Sequence, residues 1–158
     1  MEIQLMCIGK TDRSIWSEAL AKYQYRLKNY IKFSVVYLPN IKISKKIDPI
    51  KIKTEEGKIL LKKISSSDTV ILLDESGKSL SSKAFSKEIE NYMINGNNKI
   101  IFLIGGPYGF SNEIYNKFPK SIALSKMTFS HQMIRLFFCE QLYRAITIIN
   151  HHPYHNNK

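Results

Sequence analysis

Cysteine is nearly absent: only Cys7 and Cys139 occur among the 158 residues, each inside an apolar segment and neither with a CxxC partner. This excludes a disulfide framework and a thiolate zinc site, and fits buried, reduced thiols in a cytoplasmic protein. Acidic residues are scarce as well, with 13 Asp and Glu against 24 Lys and Arg. No paired acids, Ser-His-Asp order or catalytic cysteine setting stands out, so covalent catalysis is not expected. The tail histidines His151, His152 and His155 have no carboxylate or cysteine at ligand spacing, so no metal is expected either. Apolar runs are short, none approaching the roughly 18 residues of a membrane span. The opening MEIQLMCIGK is acidic where a secretory leader is basic, so no leader is expected.

What is present is charge of one sign. The formal net charge is +11, and such a surface favours a polyanion, nucleic acid first. A lysine-, isoleucine- and asparagine-rich composition is the plainer source of the same charge. The length suits a single domain, residues 1–158, with a sizeable core. No linker, internal repeat or low-complexity block divides it.

Strand and helix signals alternate along the chain. Strands are predicted at Glu2–Ile8, Phe33–Leu38, Thr69–Leu73, Lys99–Ile104 and Ser121–Leu124. Helices are predicted from Arg13 to Tyr30, from Pro49 to about Ile64 behind an Asp48 cap, and from Ser81 or Ser82 to Ile94. A short helix behind Ser111 and a strongly apolar one from His131 to Ile149 complete the set. In the first helix Ile15, Ala19 and Tyr23 share a face, with Trp16, Leu20 and Leu27 beside it. The pattern argues for an α/β fold, a largely parallel sheet with helices on both faces. Ligands of such sheets bind outside the carboxyl ends of the strands.

Two loops fall there. One is the glycine turn Gly105-Gly106-Pro107-Tyr108-Gly109, whose missing side chains let a ligand approach the backbone. The other is Ser125-Lys126-Met127-Thr128-Phe129-Ser130, leading into the helix that opens with His131 and has Arg135 one turn later. A nicotinamide site is excluded, because the glycines read G-G-x-x-G late in the chain and no carboxylate stands about twenty positions on. Gly77-Lys78-Ser79 imitates the end of a P-loop, but Leu72 occupies the place of its first glycine, so a polar turn beside the pocket is expected. The apolar excess of the last helix points to core or to a dimer contact.

Five segments in order, LLDESGK (Leu72–Lys78), IGGPYG (Ile104–Gly109), LSKMTFSHQMIR (Leu124–Arg135), EQLYRA (Glu140–Ala145) and HPYH (His152–His155), carry a resemblance that spans essentially the whole chain. Together they resemble the SPOUT-class 23S rRNA pseudouridine-N3 methyltransferases. The resemblance implies an α/β-knot fold, with a trefoil knot at about residues 100–150 and a tail over 150–158, and a homodimer. It implies S-adenosylmethionine held by Leu73, Gly105, Gly106 and Ser125, Lys126, Met127, Thr128, Phe129 and Ser130. It implies as substrate a pseudouridine in 23S rRNA, methylated at N3 on the assembled 70S ribosome. Another SPOUT enzyme acting on tRNA or a different rRNA site, and a non-catalytic basic RNA-binding protein, are the alternatives.

Methylation at a protonated ring nitrogen needs alignment of donor and acceptor, and help in removing the proton. His131, Tyr154 and His155 are expected to border the acceptor, and Arg135 and Arg144 to bind phosphate or stabilise charge. The chain departs from the family at Asn156, where many members carry Arg. The tail's cation is then Lys158, or His155 and Arg135 take more of its role. Lysines at 42, 45, 46, 51, 53, 58, 62 and 63 are candidates for gripping RNA backbone.

Overall fold

A computed structural model of the protein describes residues 1–12, 15–41 and 48–154. Five strands, β1 (Glu2–Ile8), β2 (Lys32–Leu38), β3 (Thr69–Ser79), β4 (Lys99–Ile104) and β5 (Ser121–Ala123), form one sheet in the order β2-β1-β4-β3-β5. Every pairing is parallel, so all carboxyl ends lie on one edge. The helices are α1 (Ile15–Leu27), α2 (Pro49–Leu61), α3 (Ser82–Ile94), α4 (Asn112–Lys117) and α5 (His131–Ile149).

The twofold period of a strand sorts the core into two layers. Ile3, Leu5 and Cys7 of β1, with Ile100, Phe102 and Ile104 of β4, face one side and pack with Phe138, Leu142 and Ile146 of α5. Met6, Ile8, Ile101 and Leu103 face the other side and meet Leu60 of α2 and Ile114 of α4. Helices α1 and α3 pack on α5, and α2 packs on α4, so both faces are covered. Both faces of β4 are buried, which is why its sequence is an unbroken apolar run.

Local chemistry fixes where the helices begin. Asp48, Ser81, Ser111 and Ser130 each accept a hydrogen bond from a backbone amide of the first turn. Those starts agree with the sequence expectation. Two expectations need correction. Ile15 is exposed, and the buried residues of α1 are Leu20 and Leu27. Gly77-Lys78-Ser79 is no turn: β3 leaves its register after Leu73 and re-enters it at Lys78, pairing Lys78 with Ile122 and Ser79 with Ala123. A Cβ on Gly77 would stand 2.7 Å from the backbone of Ser121 and Ile122, so only glycine allows that approach. The lysines at 42, 45 and 46 and the start of the predicted first helix, Arg13, lie outside the described residues, as do His155, Asn156 and Lys158.

Among the described residues no helix is long and apolar enough to cross a membrane, and no cluster of His, Cys, Asp or Glu could hold a metal ion.

Candidate functional site

The carboxyl ends of β4 and β5, with the stretch of β3 where its register breaks, open onto a cavity of about 570 Å³. Its walls are Leu73 to Ser76, Ile104 to Phe110, Tyr115, Leu124, Ser125, Met127 to Phe129, His131 and Ile134. That volume lies within the roughly 300–1,000 Å³ of small-molecule sites.

The glycine turn forms one wall. The Gly109 amide donates to the Gly106 carbonyl at 3.0 Å, closing a turn with Pro107 at its first corner, and Gly109 has φ of +77°. Gly105 and Gly106 are buried, and beneath them lies Glu56 of α2. A Cβ on Gly106 would coincide with the Glu56 carboxylate. Glu56 is 4% exposed, and its Oε2 has no hydrogen-bond partner among the described residues. Burial holds its carboxyl above the ordinary glutamate range.

The second wall is the stretch after β5. The Ser125 hydroxyl accepts from the Met127 amide at 2.9 Å, and Thr128 donates to Glu75 at 2.8 Å, tying this loop to the break in β3. Ser130 caps α5 by accepting from the Met133 amide at 3.3 Å. Between the walls, Asp74 accepts from the Ser76 amide at 2.9 Å and from the Tyr115 hydroxyl at 2.6 Å. Burial pushes the Asp74 carboxyl up, but the hydrogen bonds from Ser76 and Tyr115 outweigh it and leave the group below its ordinary range. Burial and the Asp74 contact push the Tyr115 phenol up to about 12, so it stays a donor at neutral pH.

His131 is half-buried at the first position of α5 and lines the cavity. Burial, and then the nearby charge of Arg135, lower its pKa, which keeps the imidazole neutral and able to accept a proton.

The structure gathers Leu73, Gly105, Gly106, Ser125, Met127, Thr128, Phe129 and His131 around this one cavity. Lys126 is exposed and does not line it, while Ser130 contributes through its cap. Asp74, Glu75, Ser76 and Tyr115 line it and were missed, while Tyr108 comes in with the glycine turn. The pattern Asp74-x-Ser76 just past the predicted strand Thr69–Leu73, a local side chain–backbone turn, was the available signal.

Arg135 and the tail lie elsewhere. Arg135 is 2% exposed, donates to the Ile8 carbonyl at 2.8 Å and to Thr11 Oγ1 at 3.1 Å, and holds the end of β1 rather than lining the cavity. Arg144 pairs with Glu140 at 2.6 Å. Tyr154 packs edge-on against Tyr143, with ring centroids 4.8 Å apart, and donates to Glu140 at 3.3 Å. Residues 140 and 143 lie roughly 15 Å along the helix axis from His131, so a single chain does not carry its own Tyr154 into the cavity. Burial keeps both thiols protonated, raising Cys7 to about 12 and Cys139 higher still.

A family model described as a predicted SPOUT methyltransferase matches residues 1–155. Among curated proteins the chain is 50% identical over 156 residues to the ribosomal RNA large subunit methyltransferase H of Christiangramia forsetii, covering 99% of each chain. It is 48% identical to the protein of that name from Flavobacterium johnsoniae and 44% identical to that from Porphyromonas gingivalis, again over 99% of each.

Proposed function

The chain belongs to the SPOUT methyltransferase family, and from that premise we propose that it methylates N3 of a pseudouridine in large-subunit ribosomal RNA, on assembled 70S particles in the cytoplasm. The observation that carries this reading is the single cavity built from Leu73, the glycine turn and the loop after β5, the segments named by the sequence resemblance. As a SPOUT enzyme the chain uses S-adenosylmethionine, which supplies a methyl on a sulfonium and becomes an uncharged thioether. The cavity suits that cofactor: Leu73, Ile104, Leu124 and Ile134 offer an apolar seat, and the glycine turn presents backbone without side chains. We take the passage of the chain through residues 100–150 to be the family's trefoil knot.

The work left to the protein is alignment and removal of the N3 proton. His131 is our candidate to accept it, supported by its lowered pKa and its position in the cavity wall. Tyr154 and His155 belong to the acceptor side of the site if they come from the second subunit of a homodimer. Support for a dimer lies beside the cavity, where Phe129 stacks on Phe137 at 5.6 Å and Met127 and Met133 are exposed. The exposed lysines of α2 and its C-terminal end, Lys51, Lys58, Lys62 and Lys63, offer phosphate contacts.

The test is transfer of labelled methyl from S-adenosylmethionine to purified 70S particles and to free tRNA, with the modified nucleotide mapped. Label on a large-subunit pseudouridine supports the proposal. Label on tRNA or another rRNA position overturns the substrate assignment, and no transfer with no binding of S-adenosylmethionine by calorimetry favours a non-catalytic RNA-binding protein.

A further inference from the structure

We propose that the cavity selects its ligand by charge: Asp74 and Glu75 in its wall, with Glu56 behind its glycine turn, make it hold a sulfonium ligand more tightly than the same molecule carrying an uncharged thioether. The inference rests on the cavity being the S-adenosylmethionine site, and adds to that reading what distinguishes donor from product.

Across the chain basic residues outnumber acidic ones, 24 to 13. Among the described residues that line this cavity the balance reverses: Asp74 and Glu75 are present, and no Lys or Arg is. The reversal is held in place. Tyr115 and Ser76 fix the Asp74 carboxylate and favour its charged form. Glu75 is tied to Thr128, so its charge stays at the junction of β3 and the loop after β5. Glu56 presses an oxygen that has no partner among the described residues against the far side of Gly106. Because burial opposes the ionisation of Glu56, Asp74 carries most of the effect. Glu75 is exposed, and solvent screens it more.

Donor and product differ by one methyl and one positive charge. Their adenosine and amino acid portions make the same contacts, so shape separates them weakly and the local field separates them more. A cavity negative at its wall gains from the sulfonium and gains nothing from the thioether. This preference lets the product leave while the donor enters.

The experiment is calorimetric titration of the full chain with S-adenosylmethionine and with S-adenosylhomocysteine, at low and high salt, for the natural protein, Asp74→Asn and Glu75→Gln. The natural protein should favour the sulfonium compound by about tenfold at low salt, and less at high salt. Asp74→Asn should weaken that compound by about fivefold and leave the thioether within about twofold, with a smaller change of the same kind in Glu75→Gln. Equal weakening of both ligands in Asp74→Asn would mean that the carboxylate touches their common portion, and would overturn the inference. So would equal affinities in the natural protein. Should Asp74→Asn fail to fold by thermal melting, the exposed Glu75→Gln decides by the same criterion. If the natural protein binds neither compound, it is the cofactor reading itself that fails.

Discussion

Arg135 and His131 sit one helical turn apart at the start of α5, yet their surroundings give them different tasks. His131 faces the cavity, while Arg135 is driven under the end of β1, where the Ile8 carbonyl and the Thr11 hydroxyl accept its hydrogen bonds. Helical spacing correctly put both on one side of the helix; it did not show that the second turn passes beneath a strand. Arg135→Met should therefore act on stability, lowering the unfolding free energy by about 2–4 kcal/mol in urea titration, because the buried Ile8 carbonyl is left without its charged donor. His131→Ala should lower kcat by about a hundredfold while leaving S-adenosylmethionine affinity within a few-fold. For the natural enzyme, kcat should fall only when pH drops below the ordinary histidine range, because the His131 pKa is lowered and the neutral form is the base. Glu56 makes the opposite kind of contribution. Its pKa is raised, so the folded state holds the proton more tightly than the unfolded one, and stability is lost as pH rises from the ordinary glutamate range through the higher folded value. Glu56→Gln should raise the melting temperature at pH 7.5 and leave it unchanged near pH 4, as read from thermal melts at the two pH values.

At the scale of elements, the reading from sequence succeeded where local chemistry decides. The caps Asp48 and Ser111, the choice between Ser81 and Ser82, and the strands β1 and β4 were legible, because a cap acts within three residues and a core strand within its own length. The extension of β3 through Asp74-Glu75-Ser76-Gly77-Lys78 was not legible. Those residues have no apolar alternation, and they are strand because β5, more than forty residues later, pairs with Lys78 and Ser79. The pocket carboxylates were missed for the same reason, since that break in register is what turns Asp74 and Glu75 towards the cavity. Gly77→Ala tests the joint directly. Backbone cannot yield as a flexible side chain can, so the substitution should cost about 1–3 kcal/mol in stability and weaken S-adenosylmethionine binding by disturbing β5 and the loop that follows.

At the scale of the whole molecule, the tail raises a question of distance that one chain cannot answer. Tyr154 is held by Tyr143 and Glu140, well along α5 from His131. If the acceptor side is shared between subunits, a mixture of His131→Ala and Tyr154→Ala proteins, each nearly inactive, should recover about a quarter of the natural activity at equal proportions through dimers in which one of the two sites is intact, a consequence of twofold symmetry. Recovery absent from mixed dimers confirmed by mass would place both residues in one chain's site. The lysines at 51, 62 and 63 belong to this scale too. Replacing Lys51, Lys62 and Lys63 by Ala should reduce the slope of log affinity for RNA against log salt by about one for each phosphate no longer neutralised.

The reversal of charge between surface and cavity also bears on the crowd of small molecules around the enzyme. ATP offers the same adenosine portion as S-adenosylmethionine, but it trails a polyphosphate that a surface of net charge +11 attracts. Inside, Asp74 and Glu75 repel that polyphosphate, and no Lys or Arg among the described lining residues welcomes it. The cavity thus works as a sieve for nucleotides, in which plain adenosine should displace the cofactor more readily than ATP does. A protein built to cling to one polyanion keeps its own small seat clear of the others.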